Sequence, residues 1–531
     1  MKENIILTGF MGTGKTTVGR LLAKELGYEF IDTDELIMNR YGQTISQIFR
    51  EKGEKAFRQI EAEVAKELAQ RRGCVISTGG RMMLDPENAA VLEQSGRVFC
   101  LVATPEEIIQ RVSADTTTER PLLKVPNPLE RVIELLHQRK EGYNRFPQMI
   151  TSEKLPEEVA KMLSGIIMSP LELRLPIAVQ QAQYEFMVGG GILPYVTQLA
   201  GIVGQVAVIT DQKVGSLYAR SLGQTDIIIQ IPSGQQVKTL STVQSICEQL
   251  VDSGFDRSGT ILALGGSVIS ELAGFVAAVY MRGVNLVQCP TSLLAMIDTC
   301  IGGKTGVNLP QGNNLIGIFK QPKAVIADVA TLQSLPPEEF VSGMAEVIKH
   351  ALISNNTKLL ESVEQGNWSV KEGELLPSLV DLQNLVAQAI QVKIHIIQED
   401  PFEKERRLLL NFGHTFGHAI EHASEYSLTH GAAVAIGMVA ATNLSARLGF
   451  CHPSLQERVE SILQKNGLPT RLPPEVQPDQ LLAALGHDKK RKKGRLRFVL
   501  IRDIGDVFVT DTVDPDALHR TLETIALQGG L

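Results

Sequence analysis

The stretch NIILTGFMGTGKTTVGRLLAKEL, residues 4–26, decides the fold of the front of this chain. A short apolar run is followed by a glycine-rich loop and then by an amphipathic helical pattern. Residues 9–16 fit G-x-x-x-x-G-K-[ST], and a strand before and a helix after are the context in which that pattern binds phosphate. The alternative, an incidental glycine turn, does not explain these flanking patterns. The stretch predicts a parallel α/β domain that binds a nucleoside triphosphate.

The residues of this loop have separate expected tasks. Glycines let backbone N–H groups converge on phosphate oxygens, and the helix N-terminus adds positive partial charge. Lys15 is expected to reach the β- and γ-phosphates, and the hydroxyl of Thr16 to ligate Mg²⁺. The predicted nucleotide-binding residues of this segment are Gly12, Thr13, Gly14, Lys15, Thr16 and Thr17.

Further along the chain, the pattern predicts four domain-level segments. Short apolar runs alternate with helical patterns up to about residue 167, and two prolines in MSPLELRLP (168–176) predict a linker. The α/β pattern then restarts, and beyond residue 338 the signals are mostly helical, with late strands at LRFVLIRDIG and DVFVTD. The predicted fold class is therefore α/β, with these segments: a P-loop domain at 1–168, a linker at 169–176, an α/β domain at 177–335 and a mainly helical domain at 336–531.

The composition is that of a soluble globular enzyme. Of 531 residues 44% are hydrophobic and 21% charged, and the net charge of −7 gives no basic field for nucleic acid, although residues 489–495 read KKRKKGR. We find no apolar run of bilayer length and no signal peptide. The six cysteines are scattered without a CxxC pair, which favours a reducing cytoplasm.

Acidic and basic residues near the loop predict an acceptor site. Asp32 and Asp34 follow a strand beside the loop, so one is expected to assist Mg²⁺ and the other to accept a hydrogen bond from a substrate hydroxyl. A helix cap is an equal alternative for each. Arg58, Arg120 and Arg139 supply guanidinium groups suited to a carboxylate or a phosphate.

With FRQIE (57–61), STGGR (77–81), TERPLL (118–123) and RKEGY (139–143), the first 165 residues resemble shikimate kinase. The resemblance implies direct phosphoryl transfer from ATP with Mg²⁺ at Thr16 and Asp32, and Lys15, Asp34 and Arg120 as catalytic residues. It places Arg111 against the adenine and Arg120 on a lid. The implied shikimate-binding residues are Asp34, Arg58, Gly79, Gly80 and Arg139. Arg81 departs from the family, which has a third glycine there.

A second constellation lies in LLLNFGHTFGHAIEH, residues 408–422. His414, His418 and His422 fall four apart, so a helix presents them on one face. Glu346 in AEVIKH and His430 in LTHGAAVAIG add a carboxylate and a further imidazole. Two histidines and a carboxylate form a common catalytic zinc site. Spacing alone does not choose among the four histidines, because a histidine on a helix is more often a hydrogen-bonded core residue than a metal ligand.

Residues 177–531 resemble 3-dehydroquinate synthase, on blocks such as ELAGFVAAVYMRGV, PTSLLAMID, GGKTGVN, GMAEVIKH and LLNFGHTFGHAIE. The resemblance implies Zn²⁺ or Co²⁺ held by Glu346, His414 and His430, with His418 moving protons and His422 structural. It implies that NAD⁺ oxidises one carbinol, that phosphate leaves, and that the reduced product closes into a carbocycle. The substrate would be 3-deoxy-D-arabino-heptulosonate 7-phosphate.

The same resemblance implies residues for that substrate and for NAD. The predicted catalytic residues are His418, Lys349, Lys304, Asp298 and Arg407. The predicted substrate-binding residues are Arg282, Lys304, Asn314, Lys349, Lys393, Arg407, Asn411, His418, Lys489 and Lys490. The predicted NAD-binding residues are Asp211, Gln235, Lys238, Gly265, Gly266, Ser267, Glu271, Thr291, Ser292, Asp298, Lys304 and Asn313.

Departures from the family pattern cluster around NAD. The chain reads GGSVISE at 265–271, with Ser267, Ser270 and Glu271 in place of Gly, Gly and Asp, and it has Gln235 and Asn313 in place of Glu and Lys. Serine in place of glycine costs affinity if φ must be positive, so we expect weaker or altered NAD binding with the reaction retained.

The whole chain therefore predicts a bifunctional enzyme of aromatic amino-acid biosynthesis. The resemblance to 3-dehydroquinate synthase implies a homodimer through the back half, with Arg282 reaching the partner's site. Three alternatives remain at this stage: another sugar-phosphate cyclase, a metal-dependent polyol dehydrogenase, or one half as an inactive scaffold.

Overall fold

A computed structural model divides the chain into two units, Met1–Leu171 and Glu172–Leu531. The residues it describes are 3–114, 123, 125–143, 145–146, 148–152, 154–168, 172–179, 182–219, 222, 225–366, 368, 377–486 and 496–526. Within them, no helix has the length and apolarity needed to cross a membrane.

The first unit alternates strands and helices. Its elements are β1 Asn4–Gly9, α1 Lys15–Leu26, β2 Glu29–Asp32, α2 Thr33–Tyr41, α3 Ile45–Leu68, β3 Cys74–Ser77, α4 Pro86–Glu93, β4 Gly96–Val102, α5 Pro105–Ala114, α6 Pro128–Tyr143, β5 Gln148–Ile150 and α7 Pro156–Met168.

The strands of the first unit form a parallel sheet in the order β2-β3-β1-β4-β5. Strand β1 is buried along its whole length, as its apolar run predicts. It ends at Gly9, where φ is 134° and a Cβ would lie 2.2 Å from the carbonyl oxygen of Leu101, so glycine is required. Because the strands are parallel, the loops after β1, β2 and β3 meet at one edge of the sheet. The predicted α/β fold is confirmed.

The second unit begins with a sheet and continues with helices. Its elements are β6 Glu172–Val179, β7 Ala182–Gly189, α8 Val196–Leu199, β8 Val206–Asp211, α9 Gln212–Tyr218, β9 Ile227–Ile231, α10 Leu240–Asp252, β10 Thr260–Gly265, α11 Ser267–Val279, β11 Asn285–Pro290, β12 Lys304–Leu309, β13 Gly312–Phe319, β14 Ala324–Asp328, α12 Pro337–Leu352, α13 Thr357–Gln365, α14 Leu379–Glu399, α15 His414–Ala423, α16 His430–Arg447, α17 Ser454–Lys465, α18 Pro478–Gly486, β15 Phe498–Asp503, β16 Asp506–Thr510 and α19 Pro515–Ala526.

The linker predicted at 169–176 is wrong over residues 172–176. Glu172–Val179 is strand β6, which pairs antiparallel with β7 in a register that runs from Glu172 opposite Gly189 to Val179 opposite Ala182. The strand lies at the edge of a seven-stranded sheet of order β6-β7-β14-β11-β10-β8-β9. An edge strand tolerates the missing N–H of Pro176, which explains why a proline there misled the sequence reading.

The sequence reading also missed three strands that frame the second unit's site. The buried strand β14 joins the sheet between β7 and β11. Strands β12 and β13 form a separate antiparallel hairpin. This hairpin carries Lys304 and Asn314, two of the predicted substrate-binding residues.

The helical part begins at Pro337, near the predicted change at residue 336. Helices α15 and α16 pack with very little space between their backbones. A Cβ on Gly437 would lie 2.1 Å from the carbonyl oxygen of Gly413, and one on Gly431 would lie 2.0 Å from the carbonyl oxygen of Ser342 in α12. Glycine at these two positions therefore brings α12, α15 and α16 together. The division of this unit into two domains at residue 336 stays a prediction.

Candidate active sites

The phosphate loop of the first unit lies between β1 and α1, as predicted. Helix α1 begins directly after Gly14, which has φ 92°, and within the described residues no side-chain hydrogen bond caps its N-terminus. The Nζ of Lys15 donates to the carbonyl oxygens of Gly9 and Phe10, each at 2.9 Å. A helix N-terminus without a side-chain cap, next to a lysine, is suited to a phosphate group. Thr17, in the first turn of α1, is exposed.

Thr16 and Asp32 lie together at the edge of the sheet. The hydroxyl of Thr16 donates to Oδ2 of Asp32 at 2.8 Å. The other carboxylate oxygen of Asp32 caps α2 by accepting from the backbone N–H of Asp34 at 3.0 Å. The helix-cap alternative is thus correct for Asp32 without separating it from Thr16. A hydroxyl and a carboxylate oxygen suit Mg²⁺, which prefers oxygen ligands.

Asp34 has an unusual electrostatic environment. Burial, followed by the negative charges of Asp32 and Glu61, raises the pKa of its carboxyl from 3.8 to about 6, although the charges of Lys15 and Arg58 oppose this rise. The residue also lies against the loop that follows β3 and carries Gly79 and Gly80, called the acceptor loop below, because a Cβ on Gly79 would be 2.8 Å from its Oδ1. A carboxyl with a pKa near 6 is a good hydrogen-bond acceptor for a hydroxyl at neutral pH.

Two glutamates hold the predicted carboxylate-binding arginine. Arg58 donates to Glu61 at 2.5 Å and to Glu54 at 3.2 Å, and Arg81 also lies 3.2 Å from Glu54. Arg81 therefore bridges to the same glutamate as Arg58. The sequence reading missed both glutamates, although their positions four before and three after Arg58 on α3 are a helical pairing signal.

The glycines of the acceptor loop are already engaged in hydrogen bonds. The N–H of Gly79 donates to the hydroxyl of Thr33 at 2.9 Å, and the carbonyl of Gly80 accepts from the hydroxyl of Tyr143 at 2.5 Å. Arg139, one turn before Tyr143 on α6, lies 5.3 Å from the ring centroid of Phe10. Tyr143 therefore connects the acceptor loop to the helix of Arg139, a role that the sequence reading missed.

The predicted adenine-binding arginine is fixed to the phosphate loop. Arg111 donates to the hydroxyl of Thr151 at 2.9 Å and to its carbonyl at 2.7 Å. The hydroxyl of Thr151 in turn donates to the carbonyl of Thr13 at 3.1 Å, and the hydroxyl of Thr13 donates to Phe10 at 2.8 Å. Arg120 lies outside the described residues.

In the second unit, Glu346, His414 and His430 converge. One ligand atom from each lies within 4.8 Å of the others. Oε1 of Glu346 is 3.4 Å from Nε2 of His414 and 3.9 Å from Nε2 of His430. Ligands about 2 Å from one tetrahedral ion are separated by distances of this order. The two histidines are the first residues of α15 and α16.

The hydrogen bonds around these residues test whether the group fits a metal ion. Oε1 of Glu346 is buried without a hydrogen-bond partner among the described residues. Nδ1 of His414 lies 3.3 Å from the carbonyl of Phe412, and Nδ1 of His430 lies 2.9 Å from Oε1 of Glu421. Both rings thus carry an acceptor at Nδ1, which leaves their Nε2 atoms for a ligand. The donor set fits a divalent cation.

The other two histidines of the motif, His418 and His422, lie at different distances from the three candidate ligands. The ring centroid of His418 lies 5.6 Å from that of His414 and 6.4 Å from that of His430. His422 is exposed near the end of α15. His418 is therefore placed to face the cluster, and His422 is not.

Buried cations line the same region, and each has an acidic or carbonyl partner. Lys349 contacts Glu346, and Lys393 contacts the side chain and the backbone carbonyl of Asp298. Although burial opposes it, the charges of Lys393 and Lys349 hold the pKa of Asp298 well below its usual range. The guanidinium of Arg407 donates to the carbonyls of Gly302 at 3.2 Å and of Pro401 at 2.7 Å.

Glu403 lies among these charged residues and was not predicted from the sequence. It contacts Lys304, and its Oε1 accepts from Nδ2 of Asn411 at 3.0 Å. Its φ of 57° lies in the left-handed region, which non-glycine residues seldom adopt. Arg282 is exposed, with φ 62°. Lys489 and Lys490 lie outside the described residues.

The predicted NAD residues follow the carboxyl ends of adjacent parallel strands. Asp211 ends β8 and accepts from the N–H groups of Lys213 and Val214. Gly266 precedes α11, and no side chain of the described part of the chain caps the N-terminus of that helix. The N–H of Thr291, after β11, donates to Gly265 at 3.0 Å, which joins two of these loops.

The structure shows the surroundings of two residues that differ from the family pattern, Ser267 and Glu271. Ser267 is the first residue of α11 and does not have a positive φ, so the strain expected from replacing glycine is absent. Glu271 contacts Lys238, which is 1% exposed and also contacts Asn314. The remaining predicted NAD residues in this region are Gln235, Ser292 and Asn313; Asn313 is exposed and Ser292 accepts from the N–H of Ala295 at 3.3 Å.

Comparison with family models assigns both units. The shikimate kinase model matches residues 11–167. The models for the N-terminal and C-terminal parts of 3-dehydroquinate synthase match residues 228–342 and 343–491.

Comparison with individual proteins agrees. A 3-dehydroquinate synthase of Acidithiobacillus ferrooxidans is 42% identical over 363 residues, which cover 66% of this chain and 97% of that protein. The structure of 2-deoxy-scyllo-inosose synthase with carbaglucose-6-phosphate, NAD⁺ and Co²⁺ is 27% identical with a TM-score of 0.59, covering 66% of this chain and 99% of that one. The structure of 2-epi-5-epi-valiolone synthase from Streptomyces hygroscopicus with NAD⁺ and Zn²⁺ is 27% identical with a TM-score of 0.60, covering 66% and 98%.

The chain therefore belongs to the 3-dehydroquinate synthase family through its second unit and carries a shikimate kinase domain in its first.

Proposed function

We propose that the chain catalyses two reactions of chorismate biosynthesis at two separate sites. The first unit phosphorylates shikimate with ATP and Mg²⁺. The second unit cyclises 3-deoxy-D-arabino-heptulosonate 7-phosphate to 3-dehydroquinate, using NAD⁺ and Zn²⁺ or Co²⁺. The observation that carries the second assignment is the convergence of Glu346, His414 and His430 beside buried cations. A polyanionic substrate and a divalent ion both need such a site.

In the kinase unit, we assign each step to a residue on the carboxyl edge of the sheet. Lys15 leaves its carbonyl partners to hold the phosphates, and Thr16 with Asp32 holds Mg²⁺. Asp34 accepts the hydrogen bond of the shikimate hydroxyl, and Arg58 binds the shikimate carboxylate. In-line transfer of the phosphoryl group then depends on positioning and charge neutralisation.

Further residues complete the kinase assignment. Arg139, with the backbone of Gly79 and Gly80, closes the shikimate site. Arg111 flanks the adenine, held in place by Thr151. The N–H of Gly79 donates to Thr33, so in this assignment Gly79 contacts the substrate only if that hydrogen bond opens.

In the synthase unit, NAD⁺ supplies reversible hydride transfer and the divalent ion supplies Lewis-acid polarisation of oxygen when they are bound. Glu346, His414 and His430 would hold the ion. Lys349 and Lys393 bind the anionic groups of the substrate, and Asp298 orients Lys393 through two contacts.

The remaining polar side chains of the synthase site share binding and proton transfer. Arg407, fixed by two backbone carbonyls, presents a rigid guanidinium to a carboxylate or phosphate. Lys304 and Asn411 are held side by side by Glu403. His418, beside the ligand group, holds and moves a proton at its ring nitrogen.

For NAD⁺, we assign the diphosphate to the open N-terminus of α11 and the ribose hydroxyls to Asp211 and Lys238. Two solved relatives contain NAD⁺, which supports NAD⁺ as the cofactor of this unit. Because Lys238 is buried against Glu271, its ammonium group is held in one position and its charge is little screened by solvent. We therefore propose that the departures at Ser267 and Glu271 leave NAD⁺ binding intact.

We also propose that the second unit forms a homodimer in the cytoplasm. Strand β13 is exposed over most of its length and shows apolar side chains, Leu315, Ile318 and Phe319, with Phe402 packed edge-on against Phe319 at 5.5 Å. Among the described residues β13 pairs with β12 alone, and an exposed apolar strand edge favours pairing with a second copy. The cysteines of the described residues are free, which agrees with a reducing compartment. Sedimentation of Phe319→Asp against the parent protein tests the dimer.

A paired assay of the purified full chain tests both activities. Phosphate release from the heptulosonate phosphate with NAD⁺, together with formation of 3-dehydroquinate, is expected for the second unit. Shikimate-dependent ADP release is expected for the first. Accumulation of NADH without phosphate release would assign the second unit to a dehydrogenase, and release of a different carbocycle would assign it to another sugar-phosphate cyclase.

A further inference from the structure

We propose that Glu421 is a positioning residue for the metal ion: its carboxylate fixes the imidazole of His430 so that Nε2 faces Glu346 and His414. The inference rests on the proposed metal site and extends it by one residue that binds no ion itself. Glu421 stands on α15, whereas His430 is the first residue of α16, so the contact joins two helices.

The geometry at His430 carries this inference. Oε1 of Glu421 lies 2.9 Å from Nδ1 of His430, a hydrogen-bond distance. A carboxylate only accepts, so Nδ1 of the ring must carry the proton. In the neutral ring, Nε2 then has the lone pair, and this atom lies 3.9 Å from the buried Oε1 of Glu346. The contact thus selects the one neutral tautomer that can ligate an ion at this point.

The partner of His414 differs in kind from that of His430. Nδ1 of His414 lies near a neutral backbone carbonyl, that of Phe412 at 3.3 Å. His430 faces a carboxylate at a shorter distance, and its side chain is 30% exposed against 12% for His414. His430 therefore has less packing to hold its ring, and the charged partner compensates. A carboxylate at Nδ1 also raises the basicity of the ligating nitrogen.

A purely structural role for Glu421 makes a different prediction. If the contact only tied α15 to α16, its loss would lower stability with and without metal equally. If Glu421 positions His430, its loss reduces the free energy of metal binding. This reduction is larger than any change in the free energy of unfolding of the metal-free protein. Affinity for the metal, measured without turnover, separates the two roles.

The experiment uses the full chain, stripped of metal with a chelator and titrated with Zn²⁺ against a competing chromophoric chelator. Glu421→Leu removes the acceptor, and Glu421→Gln keeps an acceptor without charge. We expect Zn²⁺ affinity to fall in the order parent, Glu421→Gln, Glu421→Leu, with about a 10- to 100-fold loss for the last. The absorption spectrum of the Co²⁺-loaded protein should change in the same order.

The control Glu361→Gln changes an exposed glutamate on α13 and should bind Zn²⁺ as the parent does. His414→Ala removes a proposed ligand and should abolish tight binding. If Glu421→Leu bound Zn²⁺ within about twofold of the parent while His414→Ala did not, the positioning role would be wrong and the metal site would stand. If the parent chain itself failed to bind Zn²⁺ or Co²⁺, the proposed function of the second unit would fail as well.

Discussion

Oε1 of Glu346 lies 3.4 Å from Nε2 of His414, and it is buried without a hydrogen-bond partner among the described residues. A buried carboxylate oxygen in that state costs about 1–3 kcal/mol or more. A cation held between the two atoms, as proposed for this site, would remove that cost. We therefore expect metal binding and stability of the second unit to be interdependent.

Substitution of His414 should therefore separate the two activities. We expect His414→Ala to lose metal binding and cyclisation while shikimate phosphorylation stays within about twofold of the parent. Lys15→Ala should do the reverse, because its contacts lie within the phosphate loop. Both reactions are followed on the same purified protein. Loss of both reactions in either folded variant would contradict the two-site assignment.

The pKa of Asp34 predicts a pH dependence of the kinase. Only the ionised carboxylate is a full acceptor for the shikimate hydroxyl, so kcat/KM for shikimate should rise as pH passes through about 6. The profile is measured from pH 5 to 8, with Asp34→Asn as a low and pH-independent reference. A flat parent profile over that range would contradict the assignment.

The same raised pKa has a consequence for stability. A carboxyl whose folded pKa lies above its unfolded value favours the folded state most at low pH, and that contribution is lost as pH rises from 3.8 through about 6. The difference corresponds to about 3 kcal/mol at most, and solvent screening reduces it. We expect Asp34→Asn to be more stable than the parent at pH 8 and to show no such gain at pH 4. Urea unfolding at the two pH values measures this.

Tyr143 should contribute to the binding of shikimate and not to the binding of ATP. Its buried hydroxyl donates to Gly80, and burial raises its pKa to about 12, so it remains a donor at neutral pH. Tyr143→Phe removes one hydrogen bond, worth about 1 kcal/mol, which corresponds to roughly a fivefold rise in KM for shikimate. KM for ATP should not change. The variant Tyr41→Phe, at a partly buried tyrosine that ends α2, is the control, and an equal rise in both KM values would indicate general damage instead.

Glu271 should stabilise the second unit through Lys238. Glu271→Gln leaves an ammonium that is 1% exposed without its charged partner, and removal of one partner of a buried pair costs about 3–5 kcal/mol. The contact with Asn314 reduces this cost. We expect the free energy of unfolding to fall by about 3 kcal/mol and NAD⁺ binding to weaken with it. Denaturant unfolding measures the change, and a loss below about 1 kcal/mol would show that Asn314 alone satisfies Lys238.

Much of the fold was predictable because its signals are local. The glycine-rich loop between a buried strand and an amphipathic helix places Lys15 and Thr16 without any knowledge of distant residues. Strand β14 was missed because its four apolar residues, followed by Asp328, have no periodicity that separates a short strand from a buried helix segment. Pro176 was misread because a proline that interrupts a central strand is tolerated on the edge strand β6.

The sequence by itself determined the two fold classes, the phosphate loop and the types of side chain available for a metal ion and a polyanion. Only the tertiary structure decided which of them meet: Glu421 with His430, Glu403 with Lys304, and Thr151 with Arg111. The physical reason is range. Helical and strand periodicity reports on neighbours a few residues apart, whereas these contacts join residues brought together by packing. In the case of α15 and α16, that packing depends on the absence of a Cβ at Gly437, which lets the backbones approach until their side chains share one site.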